Sequence, residues 1–124
     1  MKGRVGFIGA GNITNALIAG LSNQNFGKEN IFASSPEENH LEHLNNTFHI
    51  NTTSKNVEVC KSCSVIILAI KPNIVTKVLK EISSYIHDKE HLIISVAAGV
   101  SISNIESILK TKQRIIRAGV KRSG

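Results

Sequence analysis

Short runs of apolar residues alternate with longer amphipathic segments along this chain. Six of the runs are rich in β-branched or other apolar side chains and have the length of strands. The predicted strands are Arg4 to Ile8, Ile31 to Ala33, Phe48 to Asn51, Val65 to Ala69, Leu92 to Val96 and Arg114 to Arg117. The segments between them have helical spacing, which predicts an alternation of strand and helix throughout.

The clearest helical spacing lies between the fourth and fifth strands. Apolar residues recur there at intervals that place them on one face of a helix, namely Ile74, Val75, Val78, Leu79 and Ile82. A single apolar stripe of this kind predicts a helix that packs on a sheet.

Three helix starts are predicted from the residues that favour them. Ser35 lies three residues before Glu38 with a proline between them, and Ser103 lies three residues before Glu106. Both pairs have the spacing of a capping box, in which the serine is the N-cap. Pro72 is expected to open the helix after the fourth strand, because proline is tolerated in a first turn.

The strands themselves are almost continuously apolar, as Val65 to Ala69 shows. Strands without inside-outside alternation are typical of parallel sheets that are covered on both faces. The predicted fold class is therefore α/β, with an open, doubly wound parallel sheet of about six strands. The strand order is 3-2-1-4-5-6 if the first half follows the Rossmann scheme.

A glycine-rich turn closes the first strand and opens the first helix, over residues 6 to 14. Gly9 permits a tight turn, and Gly11 removes the side chain that would keep a pyrophosphate from the amides at the helix N-terminus. Thr14 stands where the dinucleotide fingerprint expects Gly or Ala, and Ala16 is expected to ease helix packing instead. The alternative is an ordinary strand-to-helix turn without a ligand.

The end of the second strand indicates which dinucleotide would bind. NAD-binding domains usually carry a carboxylate there for the ribose hydroxyls, whereas this chain has small hydroxyl residues, Ser34 and Ser35. They leave room for a 2′-phosphate, which favours NADP(H) and leaves NAD(H) possible. No Arg lies in the loop, Glu37 and Glu38 follow at once, and Lys55 could supply charge. Alternatively, Ser35 has only its capping role.

Composition narrows the remaining classes of function. The 124 residues suit one domain, and a net charge of +6 would suit nucleic acid or a phosphorylated small molecule. The basic residues are spread along the chain except near residues 114 to 122, and five aromatic residues leave little for base stacking. We therefore expect no nucleic-acid partner. No apolar run approaches the length of a membrane span or a signal peptide, so a cytoplasmic location is expected.

With these residues placed, the chain resembles the N-terminal half of the pyrroline-5-carboxylate reductase family. The resemblance extends over about residues 3 to 117 and rests on four segments in order. They are Val5 to Asn12, Ala33 to Pro36, Leu68 to Pro72 and Ser95 to Val100. The glycine turn alone fits many dehydrogenases, but the Ala-Ile-Lys-Pro and Ala-Ala-Gly-Val-Ser-Ile segments are more particular to this family.

The resemblance implies which residues bind the cofactor. The pyrophosphate is expected at Ile8, Gly9, Ala10, Gly11, Asn12 and Ile13. The adenosine ribose phosphate is expected at Ser34, Ser35 and Glu37, with Asn56 at the adenosine half. The cofactor wall and the nicotinamide neighbours are expected to be Ala69, Ile70, Lys71, Pro72, Ala97, Ala98 and Gly99. We expect Lys71 to make a charge contact and not to act as a base, and residues 97 to 99 could also be a plain loop.

The resemblance also implies an activity, the NAD(P)H-dependent reduction of 1-pyrroline-5-carboxylate to L-proline. After Arg117 the family would continue into a helical domain for dimerisation and for the imino-acid substrate, whereas residues 118 to 124 diverge. We therefore expect residues 1 to 117 to be the dinucleotide-binding domain, with no nameable catalytic residue. The alternatives are a noncatalytic NADP(H)-binding module and, third, a basic module associated with nucleic acid.

The cysteines and two pairs of histidines have spacings that also occur in metal or redox sites. Cys60 and Cys63 have the CxxC spacing of redox dithiols, but they end a helical stretch and are expected to be structural. His40 and His43 are three residues apart, and His87 and His91 are four apart. Neither histidine pair has further ligands at motif spacing, so solvated surface histidines and no metal are expected.

Overall fold

All six predicted strands form one parallel sheet in the computed structural model, which describes residues 3–87, 89–97, 99–109 and 114–117. The strands are β1 (Val5–Ile8), β2 (Ile31–Ser34), β3 (Asn51–Thr53), β4 (Val65–Leu68), β5 (Leu92–Ser95) and β6 (Arg114–Arg117). Their order is β3-β2-β1-β4-β5-β6, and all neighbouring strands are parallel. The doubly wound parallel sheet and its predicted strand order are therefore confirmed.

Helices cover both faces of this sheet. They are α1 (Asn12–Asn23), α2 (Glu38–Phe48), α3 (Asn56–Ser62), α4 (Pro72–Ile82) and α5 (Ile102–Leu109), with short 3₁₀ turns at Lys28–Asn30 and Ser83–Tyr85. No helix among the described residues has the length and apolar character that crossing a bilayer requires.

The strands supply side chains to two separate cores because neighbouring residues of a strand point to opposite faces. Phe7 packs in the core beneath α1 and α2 with Ile18 and Leu44. Ile8, the next residue of β1, packs in the core beneath α3, α4 and α5. Other members of this second core include Ile66, Leu68, Leu79, Ile93 and Ile105. The continuous apolar runs of the sequence follow from this two-sided burial.

The third strand begins later than the sequence predicted. Phe48 is the last residue of α2, and β3 runs over Asn51–Thr53. His49 is the C-cap of the helix and adopts the left-handed conformation at φ 56°. Phe48 packs one turn after Leu44 on the same core, so the apolar pair that suggested a strand is the end of a helical stripe.

Two of the three predicted helix starts are displaced. Glu37 is the N-cap of α2, and Ser35 instead accepts a hydrogen bond from the Glu37 amide at 3.1 Å. In the last helix Ser101, rather than Ser103, accepts the hydrogen bond of the Asn104 amide at 3.1 Å. Ser101 directly precedes α5 and accepts an amide of its first turn, whereas Ser35 lies two residues before the N-cap of α2, so the capping-box spacing identified neither N-cap correctly. Pro72 does occupy the first turn of α4.

Gly6 allows α3 to lie directly on the backbone of β1. A Cβ added at this glycine would collide with Cγ1 of Val59 and would lie 2.9 Å from Sγ of Cys63. Both of these side chains are fully buried, so they have little room to move aside.

The close approach of α3 to β1 predicts that alanine substitutions at Gly6 and Gly20 change stability in opposite directions. Gly6→Ala should lower the free energy of unfolding by about 1–3 kcal/mol through overpacking. Gly20→Ala is the matched control, because an added Cβ at Gly20 in α1 meets nothing within 4 Å. It should raise the free energy of unfolding by about 0.5–1 kcal/mol. Urea denaturation followed by circular dichroism measures both, and equal effects would contradict this packing of α3 on β1.

Candidate functional site

The turn between β1 and α1 is held against the ends of two neighbouring strands. The Gly9 amide donates to the carbonyl of Ser34 at 2.9 Å. Gly9 has φ 112°, and an added Cβ would collide with the carbonyl oxygen of Ala69. Both the backbone conformation and the space therefore require glycine here. The turn sits at the carboxyl edge of the sheet, where open α/β sheets bind their ligands.

Gly11 is a glycine for a different reason. It is the N-cap of α1 with no side-chain capping bond, and a Cβ added there would meet no atom within 4 Å. The protein itself thus leaves the space in front of the helix N-terminus open. The first amides of a helix have no intrahelical partner, so an anion can approach them through this space. The residues present fit a dinucleotide pyrophosphate.

Thr14, the departure from the dinucleotide fingerprint, braces the glycine turn. Its side chain is fully buried, and its hydroxyl donates to the carbonyl of Gly9 at 2.8 Å. Asn15 adds a second brace by donating from Nδ2 to the Gly11 carbonyl at 2.9 Å. The expectation that Ala16 eases this contact is wrong, because Ala16 is exposed. A buried threonine fits here since its hydroxyl finds a backbone acceptor.

The end of β2 carries a hydrogen-bonded chain of side chains. Ser34 is fully buried and its hydroxyl donates to Oδ1 of Asn56 at 2.7 Å. Asn56 in turn donates from Nδ2 to a carboxylate oxygen of Glu81 at 2.8 Å. Ser35 is also buried, at 4% exposure. The predicted adenosine residues are thus brought together, but Ser34 and Asn56 are already bonded to each other.

The remaining predicted cofactor residues follow β4 and β5. Ala69 is bonded to β1 through its amide, which donates to the Ile8 carbonyl at 2.9 Å. Ala97 is buried and Gly99 has φ 78°. Lys71 is exposed and is the N-cap of α4. These residues follow adjacent strands at the same sheet edge as the glycine turn, while Ala98 lies outside the described residues.

Two histidines join the glycine turn in a cleft that the sequence did not assign to the cofactor. The cleft between α1 and α2 has a volume of about 510 Å³ and is lined by Ala10, Gly11, Asn12, Asn15, His40 and His43. The three-residue spacing of the histidines was the available signal. That spacing alone does not show that α2 faces the glycine turn.

Cys60 and Cys63 are buried free thiols. Burial, followed by the smaller effects of the charges of Cys63 and Glu81, raises the pKa of Cys60 to about 12. Burial likewise raises the pKa of Cys63 to about 12, although Arg4 opposes the shift. Thiols held protonated in a core are poor nucleophiles and poor metal ligands, which supports the structural interpretation. No cluster of three or more metal-binding side chains occurs in the described part of the chain.

The expectation of solvated histidines is wrong for His91. This ring is 1% exposed. Its Nδ1 accepts from the His87 amide at 2.9 Å, so Nε2 carries the proton and donates to the Cys60 carbonyl at 2.8 Å. A buried imidazole is tolerated because both ring nitrogens are bonded. His87 is exposed, as expected.

The fold and the glycine turn define a dinucleotide-binding domain of the oxidoreductase type. Residues 4–99 match the model of the family described as NADP oxidoreductase, coenzyme F420-dependent. The chain belongs to this family. The family's description names NADP, which agrees with the predicted cofactor.

Proteins similar to this chain include pyrroline-5-carboxylate reductases, the family that the sequence segments resemble. The chain is 34% identical to that of Vibrio alginolyticus over 92% of its own length and 42% of the relative. The enzyme of Coxiella burnetii superposes with a TM-score of 0.88 at 27% identity, over 92% of this chain and 42% of the other. The pyrroline carboxylate reductase of Plasmodium falciparum, solved with NADP bound, gives 0.77 at 30%, over 92% and 40%. The chain thus spans less than half the length of these relatives.

The buried cysteines lead to a prediction about thiol reactivity. Neither Cys60 nor Cys63 should react with a maleimide in the folded protein near neutral pH, because the reactive thiolate is scarce and shielded. Both should react after unfolding in guanidinium. Ser84→Cys, at an exposed position, is the positive control and should label rapidly in the folded state. Mass spectrometry counts the adducts, and rapid double labelling of the folded wild type would contradict the burial.

Proposed function

We propose that this chain is the NADP(H)-binding part of a pyrroline-5-carboxylate reductase. The observation that carries the proposal is the open space at Gly11 in front of the α1 N-terminus, in a chain whose relatives carry that name. In the proposal, residues 1 to 117 form the dinucleotide-binding domain. The enzyme reduces 1-pyrroline-5-carboxylate to L-proline, a step of proline biosynthesis, and works in the cytoplasm.

The glycine turn holds the pyrophosphate in this proposal. Gly9 and the hydroxyl of Thr14 fix the backbone of the turn. The amides at the start of α1 then donate to phosphate oxygens, and the helix dipole favours the negative charge. The same turn contributes the other predicted residues, which are Ile8, Ala10, Asn12 and Ile13.

The ends of β2, β4 and β5 and the start of α3 hold the remaining length of the dinucleotide. We assign the adenosine side to Ser34, Ser35, Glu37 and Asn56. We assign the opposite side to Ala69, Ile70, Lys71, Pro72, Ala97, Ala98 and Gly99. Small side chains at this edge let a flat ring and its ribose approach the backbone closely. Lys71 is exposed beside this wall, where its charge can meet a phosphate.

The chemistry of the reaction is that of the bound nicotinamide, which supplies the hydride to the carbon of the C=N bond. The residues of this chain bind and orient the dinucleotide, so that its reactive ring lies at the sheet edge. We assign two further tasks, orientation of the imino acid and assembly of a homo-oligomer, to the region of the relatives that these 124 residues do not match. The proposal therefore separates cofactor binding from turnover.

Cofactor binding is tested by a charge placed in the open space. Gly11→Asp should weaken NADPH binding by a hundredfold or more, because unit charges near 4 Å repel by about 4 kcal/mol at a protein surface. Gly20→Asp, on the exposed side of the same helix, is the matched control and should bind as the wild type does. Calorimetric titration measures both. Unchanged affinity in Gly11→Asp would place the pyrophosphate elsewhere.

Turnover is tested separately, by NADPH consumption in the presence of pyrroline-5-carboxylate. NADPH binding without turnover is the expected result for the cofactor half of a reductase. Turnover by the 124-residue chain would show that it also builds the substrate site. Failure of the folded chain to bind either NADPH or NADH would reject the proposed function.

A further inference from the structure

The cleft between α1 and α2 has two chemically different walls. Residues of the glycine turn and the start of α1 (Ala10, Gly11, Asn12 and Asn15) line one side, and His40 and His43 of α2 line the other. The spacing of three residues puts both imidazoles on the same face of the helix. A group that rests on the glycine turn would therefore meet both rings from α2.

The acidic residues of α2 are largely directed away from this cleft. Glu38 and Glu42 line a different cleft, with Thr52 and Thr53 of β3. The elements that pack on α2 add no charge, because neither α1 nor β3 contains an ionisable side chain. Among the described residues that line the α1–α2 cleft, only the two histidines can become positively charged.

One carboxylate does lie beside the histidines. Oε2 of Glu37 is 3.4 Å from Nε2 of His40. A protonated imidazole donates from both ring nitrogens, so His40 can bond this carboxylate and still offer Nδ1 to a ligand. The pairing also offsets the repulsion that Glu37 would exert on an anion at the end of β2.

The end of β2 supplies no charged donor for the 2′-phosphate that distinguishes NADP(H) from NAD(H). Residues 34 to 38 include no Lys or Arg. The Ser34 hydroxyl is buried and donates to Asn56, and the Ser35 hydroxyl accepts from the Glu37 amide. A phosphate with a charge near −2 is bound best by charge-assisted hydrogen bonds. The next cationic groups along the chain are His40 and His43, whereas Lys55 is the N-cap of α3 and is not among the residues that line the α1–α2 cleft.

We infer that His40 and His43 recognise the 2′-phosphate of NADP(H), with Glu37 orienting the His40 ring. This inference rests on the proposed function, because the 2′-phosphate reaches the cleft only when the dinucleotide lies on the glycine turn. It makes the preference for NADPH depend on pH. Histidine gains its charge within the range of about pH 5 to 8, so the preference is strongest at the acidic end and declines as the pH rises.

The test compares NADPH and NADH titrations of the wild type and the double variant His40→Gln, His43→Gln. At about pH 6 the variant should bind NADPH about tenfold more weakly than the wild type, and NADH within about twofold. At about pH 8 the two proteins should differ less for NADPH. Titration of the phosphate in free NADPH affects both measurements equally and cancels in their ratio.

A control substitution and a charge-restoring variant complete the test. His87→Gln makes the same change at an exposed histidine outside the cleft and should leave both affinities unchanged. The double variant His40→Lys, His43→Lys should retain its preference for NADPH at about pH 8, since lysine stays charged there.

The outcomes separate this inference from the proposed function. An equal loss of NADPH and NADH affinity in the glutamine variant, or no loss of either, would overturn the role of the histidines while cofactor binding by the wild type stands. A wild type that binds neither dinucleotide would overturn both.

Discussion

The backbone contact between the glycine turn and the ends of β2 and β4 is the constraint on which the site depends. Gly9 donates to Ser34 on one side and leaves no space for a side chain against Ala69 on the other. Thr14 then bonds the same turn from the first helix. These contacts set the direction in which α1 leaves the sheet. The orientation of its N-terminal amides, and so the position of any bound anion, follows from them.

Three glycines of the first eleven residues serve different physical purposes. Gly6 admits the side chains of α3 onto β1, and Gly9 admits the backbone of Ala69. At both positions the protein itself occupies the space. At Gly11 it leaves the space open, so packing within the protein does not require a glycine there. The distinction explains why substitutions at Gly6 and Gly11 are expected to affect stability and binding, respectively.

The polar groups of the molecule are divided between its core and its ligand edge. Cys60 and Cys63, at the end of α3, are buried as protonated thiols, and the buried His91 ring bonds the Cys60 carbonyl. His40 and His43 instead line the cleft at the carboxyl edge of the sheet, where a change of charge can be felt by an anion. The histidines thus differ in environment, because His91 is buried and bonded at both ring nitrogens whereas His40 and His43 reach solvent.

Local pattern in the sequence determined the fold class and the location of the glycine turn, and the strand order followed once the Rossmann scheme was assumed. The fold class and the turn depend on apolar runs, on helical stripes such as Ile74 to Ile82, and on the spacing of neighbouring glycines. The start of β3, the capping serines, the burial of His91 and the role of Thr14 were decided by the tertiary structure. Each of these features depends on contacts with other parts of the structure or on which of several nearby serines meets a helix amide. The histidine wall of the cleft belongs to the same class, since the packing of α2 on α1 alone brings His40 and His43 beside Gly11.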